Sequence, residues 1–174
     1  MGGKLKKPWF WLILLVAALA GAYAYLGGFN PLQAERVGVS SYHLVGRTFD
    51  GSYRSDTIRQ YFDEMRTLLQ RQQLSEQPVV IIYDQEPQGS QGQIKNFIGI
   101  FTRNVTIDPD LRLQSRTISA DSALRISKNC HPSLMPNPDK IAALIDKELG
   151  SASALTPNIE LYYPNDRLII ERPF

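Results

Sequence analysis

The chain runs twice through one order of segments (strand, helix, strand, strand), and that duplication restricts its fold more than any other feature. In the first pass, residues 34–47 read as a strand, about 56–73 as a helix, and 78–84 and 94–103 as strands. In the second, 113–128, 138–149, 156–163 and 167–172 follow in the same order. Each helix is followed by a proline-led run that ends in tyrosine: Pro78-Val79-Val80-Ile81-Ile82-Tyr83, then Pro157-Asn158-Ile159-Glu160-Leu161-Tyr162. Two such halves bury their apolar faces by joining strand edges and laying helices on the shared sheet. The expected architecture is α+β: two βαββ repeats forming an antiparallel sheet with two helices and a groove at the pseudo-twofold, preceded by a single transmembrane helix.

Local signals support the individual segments. Ile58, Tyr61, Phe62, Met65, Leu68 and Leu69 recur at helical spacing and make one apolar stripe. Ser55 or Asp56 is placed to cap that helix by accepting a backbone N–H bond. Ile141, Leu144, Ile145 and Leu149 form the second stripe, with Gly150 as its C-terminal stop. The strand at 94–103 puts Phe97 and Phe101 on one side and Ile98 and Ile100 on the other. Val37, Val39, Ser41, His43 and Val45 are expected on one face of the opening strand, with Tyr42 and Leu44 on the other.

Pro8 to Leu26 is uncharged over 19 residues, with Trp9 and Trp11 at one end and Tyr23 and Tyr25 at the other. That reads as a membrane-spanning helix with aromatic residues at both interfaces. Three lysines, Lys4, Lys6 and Lys7, precede it. By the positive-inside rule the N-terminus is cytoplasmic and the folded domain periplasmic or extracytoplasmic, on a single-pass inner or plasma membrane. The expected divisions are 1–28 for tail and span, 29–34 for a linker and 35–174 for the domain. A cleaved signal peptide is the rival, since Ala18-Leu19-Ala20 and Ala22-Tyr23-Ala24 both fit small-x-small cleavage sites.

Charge narrows the partners. Of 19 basic residues three lie in the tail, leaving 16 against 17 acidic ones. A near-neutral domain without Lys/Arg runs has no electrostatic footprint for nucleic acid. One cysteine and two histidines give no metal-ligand spacing, and no cofactor motif is present. Cys130-His131 is a poor nucleophile–base pair, because adjacent side chains diverge and nothing orients the histidine. His43 reads as a satisfied or exposed histidine and Asp63-Glu64 as the solvated face of a helix. Asn104-Val105-Thr106 matches a glycosylation acceptor, which matters only in a eukaryotic secretory pathway.

The closing hairpin carries the candidate site. Alternation places Asn158, Glu160 and Tyr162 on one face and Ile159, Leu161 and Tyr163 on the other. The first set puts a carboxylate beside a phenol and reads either as the lining of a small-molecule cleft or as a solvated sheet face. Tyr42, Tyr53, Phe97 and Tyr162 are candidates for an aromatic wall around Glu160, with core packing as the plainer use of such rings.

Four pieces in order, Phe49-Asp50-Gly51-Ser52-Tyr53, Ile82-Tyr83-Asp84, Ile159-Glu160-Leu161-Tyr162 and Leu168-Ile169-Ile170-Glu171-Arg172-Pro173, resemble the gyrase-inhibitor-like (GyrI-like) small-molecule-binding domain. That domain is related in fold to the SOUL haem-binding family. The likeness spans residues 35–173, and with the N-terminal segment it resembles membrane-tethered members. The resemblance implies two βαββ repeats around a cleft for hydrophobic, often cationic, compounds, with Glu160 as the ligand carboxylate. The second half departs from the pattern, with His131-Pro132-Ser133-Leu134 where a Gly-x-Tyr usually opens the helix. Some tethered relatives face the cytosol as receptors, the reverse of the charge-based topology. Three functions follow as expectations: a membrane-anchored effector-binding module, a hydrolase of small electrophiles using Glu160, or a protein-interaction module with an unidentified partner.

Overall fold

A computed structural model describes residues 8–174 except 89–91, 104, 107, 129, 131–133, 135–136, 151–156 and 166. The lysine tail, the glycosylation acceptor Asn104, His131 with the loop around it, Thr156 and Asp166 lie outside the described residues.

The fold is α+β, with three α-helices and an eight-stranded antiparallel sheet. Helix α1 (Pro8–Tyr25) leads into β1 (Gln33–Gly38), β2 (Tyr42–Ser52), α2 (Asp56–Arg71), β3 (Val79–Gln88) and β4 (Gln93–Phe101). After a 3-10 turn at Pro109–Leu111 come β5 (Gln114–Ile118), β6 (Ser122–Ser127), α3 (Pro138–Leu149), β7 (Ile159–Tyr162) and β8 (Leu168–Pro173). The strands lie in the order β1-β6-β8-β7-β3-β4-β2-β5.

Each of the two long strands expected from alternation is in fact a pair. The first breaks at residues 39–41 and the second at 119–121, where serines and a nearby Gly38 or Asp121 weaken strand propensity. The break lets the pieces take different partners: β1 pairs with β6, while β2 pairs with β4 and β5. The single face expected for Val37 through Val45 is therefore divided between two strands.

The helices form where the apolar stripes put them. Ser55 accepts the Thr57 amide at 3.3 Å and starts α2, which buries Met65 and Leu69 against Val45, Val79, Ile81, Ile98 and Ile100. Truncating Leu69 to Ala there costs ~2–5 kcal/mol in transfer and cavity terms. Asn137 caps α3 by accepting the Lys140 amide at 3.2 Å, and Gly150 ends it in a positive-φ conformation (φ 57°). Ile141 and Ile145 of α3 pack on Leu124, Ile126 and Ile170.

The other face of the sheet buries a separate layer, including Tyr42, Leu44, Val80, Ile82, Phe97, Ile159, Leu161 and Ile169, to which no helix contributes among the described residues. The sheet covers it by curling. The Tyr42 hydroxyl on β2 donates to Glu171 on β8 at 2.7 Å, although three strands separate the two in the sheet order. In a flat sheet those strands would lie roughly 19 Å apart, four steps of about 4.8 Å. Gly46 and Gly99 face each other in the β2–β4 ladder, and a Cβ on Gly46 would come within 2.0 Å of the Ile98 carbonyl oxygen.

The N-terminal expectation is corrected. Among the described residues no helix is long and apolar enough to cross a membrane. Helix α1 has 18 residues, about 27 Å at 1.5 Å per residue, against a hydrocarbon core of about 30 Å. Its second half, Ala17 to Tyr25, is mostly alanine, glycine and tyrosine. The single-pass placement and the inside–outside topology built on it are set aside. The segment after α1 is tied down, with Tyr23 edge-on to Phe29 at 4.9 Å and Lys128 Nζ donating to the Gly28 carbonyl at 3.2 Å.

Candidate functional site in the groove over β3 and β7

Strands β3 and β7 meet at the centre of the sheet, where Ile81 stands opposite Glu160 and Val79 opposite Tyr162. Period-2 alternation turns Ile81, Tyr83, Glu160 and Tyr162 toward the helices. Ile159 and Leu161 turn the other way, into the curled layer. Two cavities flank this central pair and share Tyr83. One, of about 810 Å³, lies under α2, with Tyr53, Arg59, Phe62, Ile81 and Tyr162 among its walls. The other, of about 250 Å³, lies against the first turns of α3 and is lined by Asp139, Ile141, Ala142, Asn158, Glu160 and Ile170 besides Tyr83.

The Tyr162 hydroxyl donates to Glu160 Oε2 at 2.6 Å, a short charge-assisted bond. Burial pushes the Tyr162 phenol well above its ordinary value, and the Glu160 charge and contacts with Tyr83 push it further. The phenol therefore stays protonated and remains a donor that aims the carboxylate. Phe62 of α2 meets the Tyr162 ring edge-on at 5.6 Å and 89°, fixing it from above. Asn158, two residues before Glu160, accepts from Arg172 at 3.0 Å. Charge is unevenly distributed. Among the described residues the smaller cavity is lined by Asp139 and Glu160 and by no Lys or Arg, whereas Arg54 and Arg59 balance Asp56 and Asp63 around the larger.

Of the residues expected around the site, Glu160 and Tyr162 are in direct contact, and Tyr53 shares the larger cavity with Tyr162. Tyr42 and Phe97 are elsewhere. Both belong to the curled layer on the opposite face, where Tyr42 bonds Glu171 and Phe97 is buried beneath the Arg116 guanidinium. They pack the core and cannot reach Glu160 through the sheet. Tyr83, Phe62 and Asp139 were not anticipated as site residues. The signal for Tyr83 was in the chain, since it ends the first proline-led run as Tyr162 ends the second.

Among the described residues no group of three or more His, Cys, Asp or Glu side chains could hold a metal ion. Cys130 is a free, half-buried thiol, and its neighbour His131 lies outside the described residues.

A scan against protein-family models finds no match, and no curated protein is significantly similar in sequence. Solved structures do share the fold. A hydrolase from Listeria innocua matches at 9% identity over 83% of this chain and 93% of its own, with a TM-score of 0.53. An uncharacterized conserved protein from Listeria innocua matches at 11% identity over 81% and 91%, also at 0.53. EcmrR, solved in an EcmrR–DNA complex, matches at 9% identity and a TM-score of 0.55, over 93% of this chain but 64% of that one. At such identities the likeness is one of fold alone.

Proposed function

We propose that the protein is an effector-binding module that takes a small hydrophobic cation into the groove over β3 and β7. The carrying observation is Glu160, oriented by the 2.6 Å bond from Tyr162 and bordering a cavity that, among the described residues, no Lys or Arg lines. The groove supplies what such a ligand needs. Ile141, Ala142 and Ile170 offer apolar contact, Glu160 and Asp139 offer negative charge, and the Tyr83 ring offers a π face. A cation over an aromatic ring adds ~0.5–2 kcal/mol. The two-repeat reading supports placing the ligand there. Exchanging β1–β4 with β5–β8 returns the strand order to itself reversed, so β3 and β7 would flank the axis. On that axis Ile81 in one half faces Glu160 in the other, making the groove asymmetric in charge.

Calorimetric titration of the chain with a panel of hydrophobic cations tests this, comparing the native protein with Glu160→Gln. The variant keeps a hydrogen-bond acceptor for Tyr162 but loses the charge, and affinity is expected to fall roughly tenfold or more. Equal affinity in the two proteins would remove the carboxylate from recognition.

A second reading, hydrolysis of a small electrophile, is favoured by the same short bond, because a carboxylate aimed by a phenol is a positioned general base. A protein of similar fold is a hydrolase from Listeria innocua. Turnover of an electrophile panel that survives Glu160→Ala would exclude this assignment.

A further inference from the structure

The face of the sheet away from the helices carries another cavity, of about 780 Å³, beside Tyr42 and Phe101. Its volume falls in the range that encloses a small organic ligand, roughly 300–1,000 Å³. The half-buried Phe101 ring lies nearly parallel to the buried Tyr42 ring, 6.3 Å away and inclined by 28°, and offers a flat apolar surface to an aromatic guest. Among the described residues the only charged side chain along its lining is Arg103, and no carboxylate lines it. Arg103 makes no ion pair among the described residues. Gln77 also borders the cavity, and its amide oxygen is buried without a hydrogen-bond partner among the described residues. An acceptor withdrawn from water in this way calls for a donor. His43 also borders the cavity, and its ring nitrogen Nδ1 lies 3.2 Å from Thr117 Oγ1.

We propose that this cavity is a second binding site, for a planar aromatic carboxylate that carries an N–H donor. Arg103 takes the carboxylate, Phe101 backed by Tyr42 takes the ring, and the Gln77 amide, turned out of its buried position by the guest, accepts the N–H. A cationic guest has no counter-charge here, and a polyanion would find a single guanidinium. The site is separate from the groove over β3 and β7, so either can fail without the other.

The test uses the full chain and three probes in calorimetric titration: indole-3-acetate, 1-naphthylacetate (no N–H) and tryptamine (cationic). Indole-3-acetate is expected to bind saturably and 1-naphthylacetate severalfold more weakly. Arg103→Gln should weaken indole-3-acetate about tenfold, the loss of one charge-assisted hydrogen bond. Gly38 lines the cavity, lacks a positive φ, and has nothing within 4 Å of where its Cβ would stand. Gly38→Trp adds an indole at the rim of the cavity and should weaken binding without lowering Tm, while Glu160→Gln leaves indole-3-acetate affinity as it was. Absence of saturable binding at millimolar probe, unchanged affinity in Arg103→Gln, or loss of affinity in Glu160→Gln each overturns the proposal. Equal affinity for 1-naphthylacetate removes Gln77 from it. If Gly38→Trp fails to fold, Arg103→Gln, on an exposed side chain, decides alone.

Discussion

The cavity beside Glu160 and the cavity beside Tyr42 open on opposite faces of one sheet, and they differ in charge and in construction. The first is lined by Glu160 and Asp139 without a cation, the second by Arg103 without a carboxylate. Apart from Asn158, the first is built from residues inside regular elements, on β3, β7, β8 and α3. Much of the second comes from connecting segments, residues 39–41 and 102–103. Strand-borne side chains are held by ladders on both sides and change little when a ligand arrives. Connecting segments can adjust, and tolerate substitution more readily. The difference suggests that one sheet separates a rigid acidic site from an adaptable basic one.

The two faces also hold their charges differently, and the largest expected effect tests that. Glu171 on the curled face is nearly buried (4% exposed), accepting from Tyr42 at 2.7 Å and from Arg125 Nε at 2.8 Å. On the helix face Glu64 accepts from Arg47 at 2.7 Å, but both side chains are about one-third exposed (30% and 32%). Replacing Glu171 with Leu leaves the Tyr42 hydroxyl without its acceptor and Arg125 with only Glu35 at 3.8 Å, an expected loss of roughly 3 kcal/mol, toward the low end for a buried pair because Arg125 keeps that partner and some solvent. Glu64→Ala should cost under about 1 kcal/mol. Urea unfolding of both variants provides the measurement, and similar losses would mean the curled face is no more closed to water than the helix face.

How much of this was legible follows from what each residue depends on. Glu160 and Tyr162 were readable as neighbours because two positions on one strand share a face whatever the partners do. Both helices were readable from their stripes and caps, Ser55 included. Tyr42 and Phe97 were read correctly as aromatic strand residues but assigned to the wrong face. Parity within a strand says nothing of which face points to the helices until β2, β4, β3 and β7 are in register. The crossing of β1 to β6 and of β5 to β2 was hidden for the same reason, since pairing between distant segments leaves no local period. Arg103 and Gln77 sit in connecting segments with no alternation to read. Glu171 looked like one more residue of the last strand, and its burial depends on the sheet curling far enough for Tyr42 to reach it.

A middle-sized effect concerns pH. Burial, then the hydrogen bond and charge of Glu171, push the Tyr42 phenol far above its ordinary 10.0, with Arg125 offsetting part of the shift. The folded state thus holds the proton more tightly than the unfolded chain. This contribution is complete below pH 10 and is lost as pH rises above it. Tyr42→Phe keeps the ring and removes the hydroxyl, so it should cost about 1 kcal/mol at neutral pH. The gap between native and variant should close above pH 10 in urea titrations run across the alkaline range. Parallel losses in the two proteins would show that Tyr42 is not coupled to the fold through its proton.

The smallest effect separates the two cavities by charge alone. Asp139 stands in the first turn of α3, on the edge of the Glu160 cavity, with its Oδ2 3.3 Å from the Asn137 amide nitrogen. Asp139→Asn removes one of the two carboxylates there. It also gives up a favourable helix-dipole interaction of ~0.3–1 kcal/mol. Because the residue is exposed and solvent screens it, affinity for a hydrophobic cation should fall only about twofold to threefold. Indole-3-acetate should bind the variant as it binds the native chain, since Asp139 and Arg103 serve opposite faces. A cation affinity that drops as far as in Glu160→Gln would make Asp139 an equal partner in recognition. A change in indole-3-acetate affinity would mean that the sheet transmits between the two faces instead of insulating them.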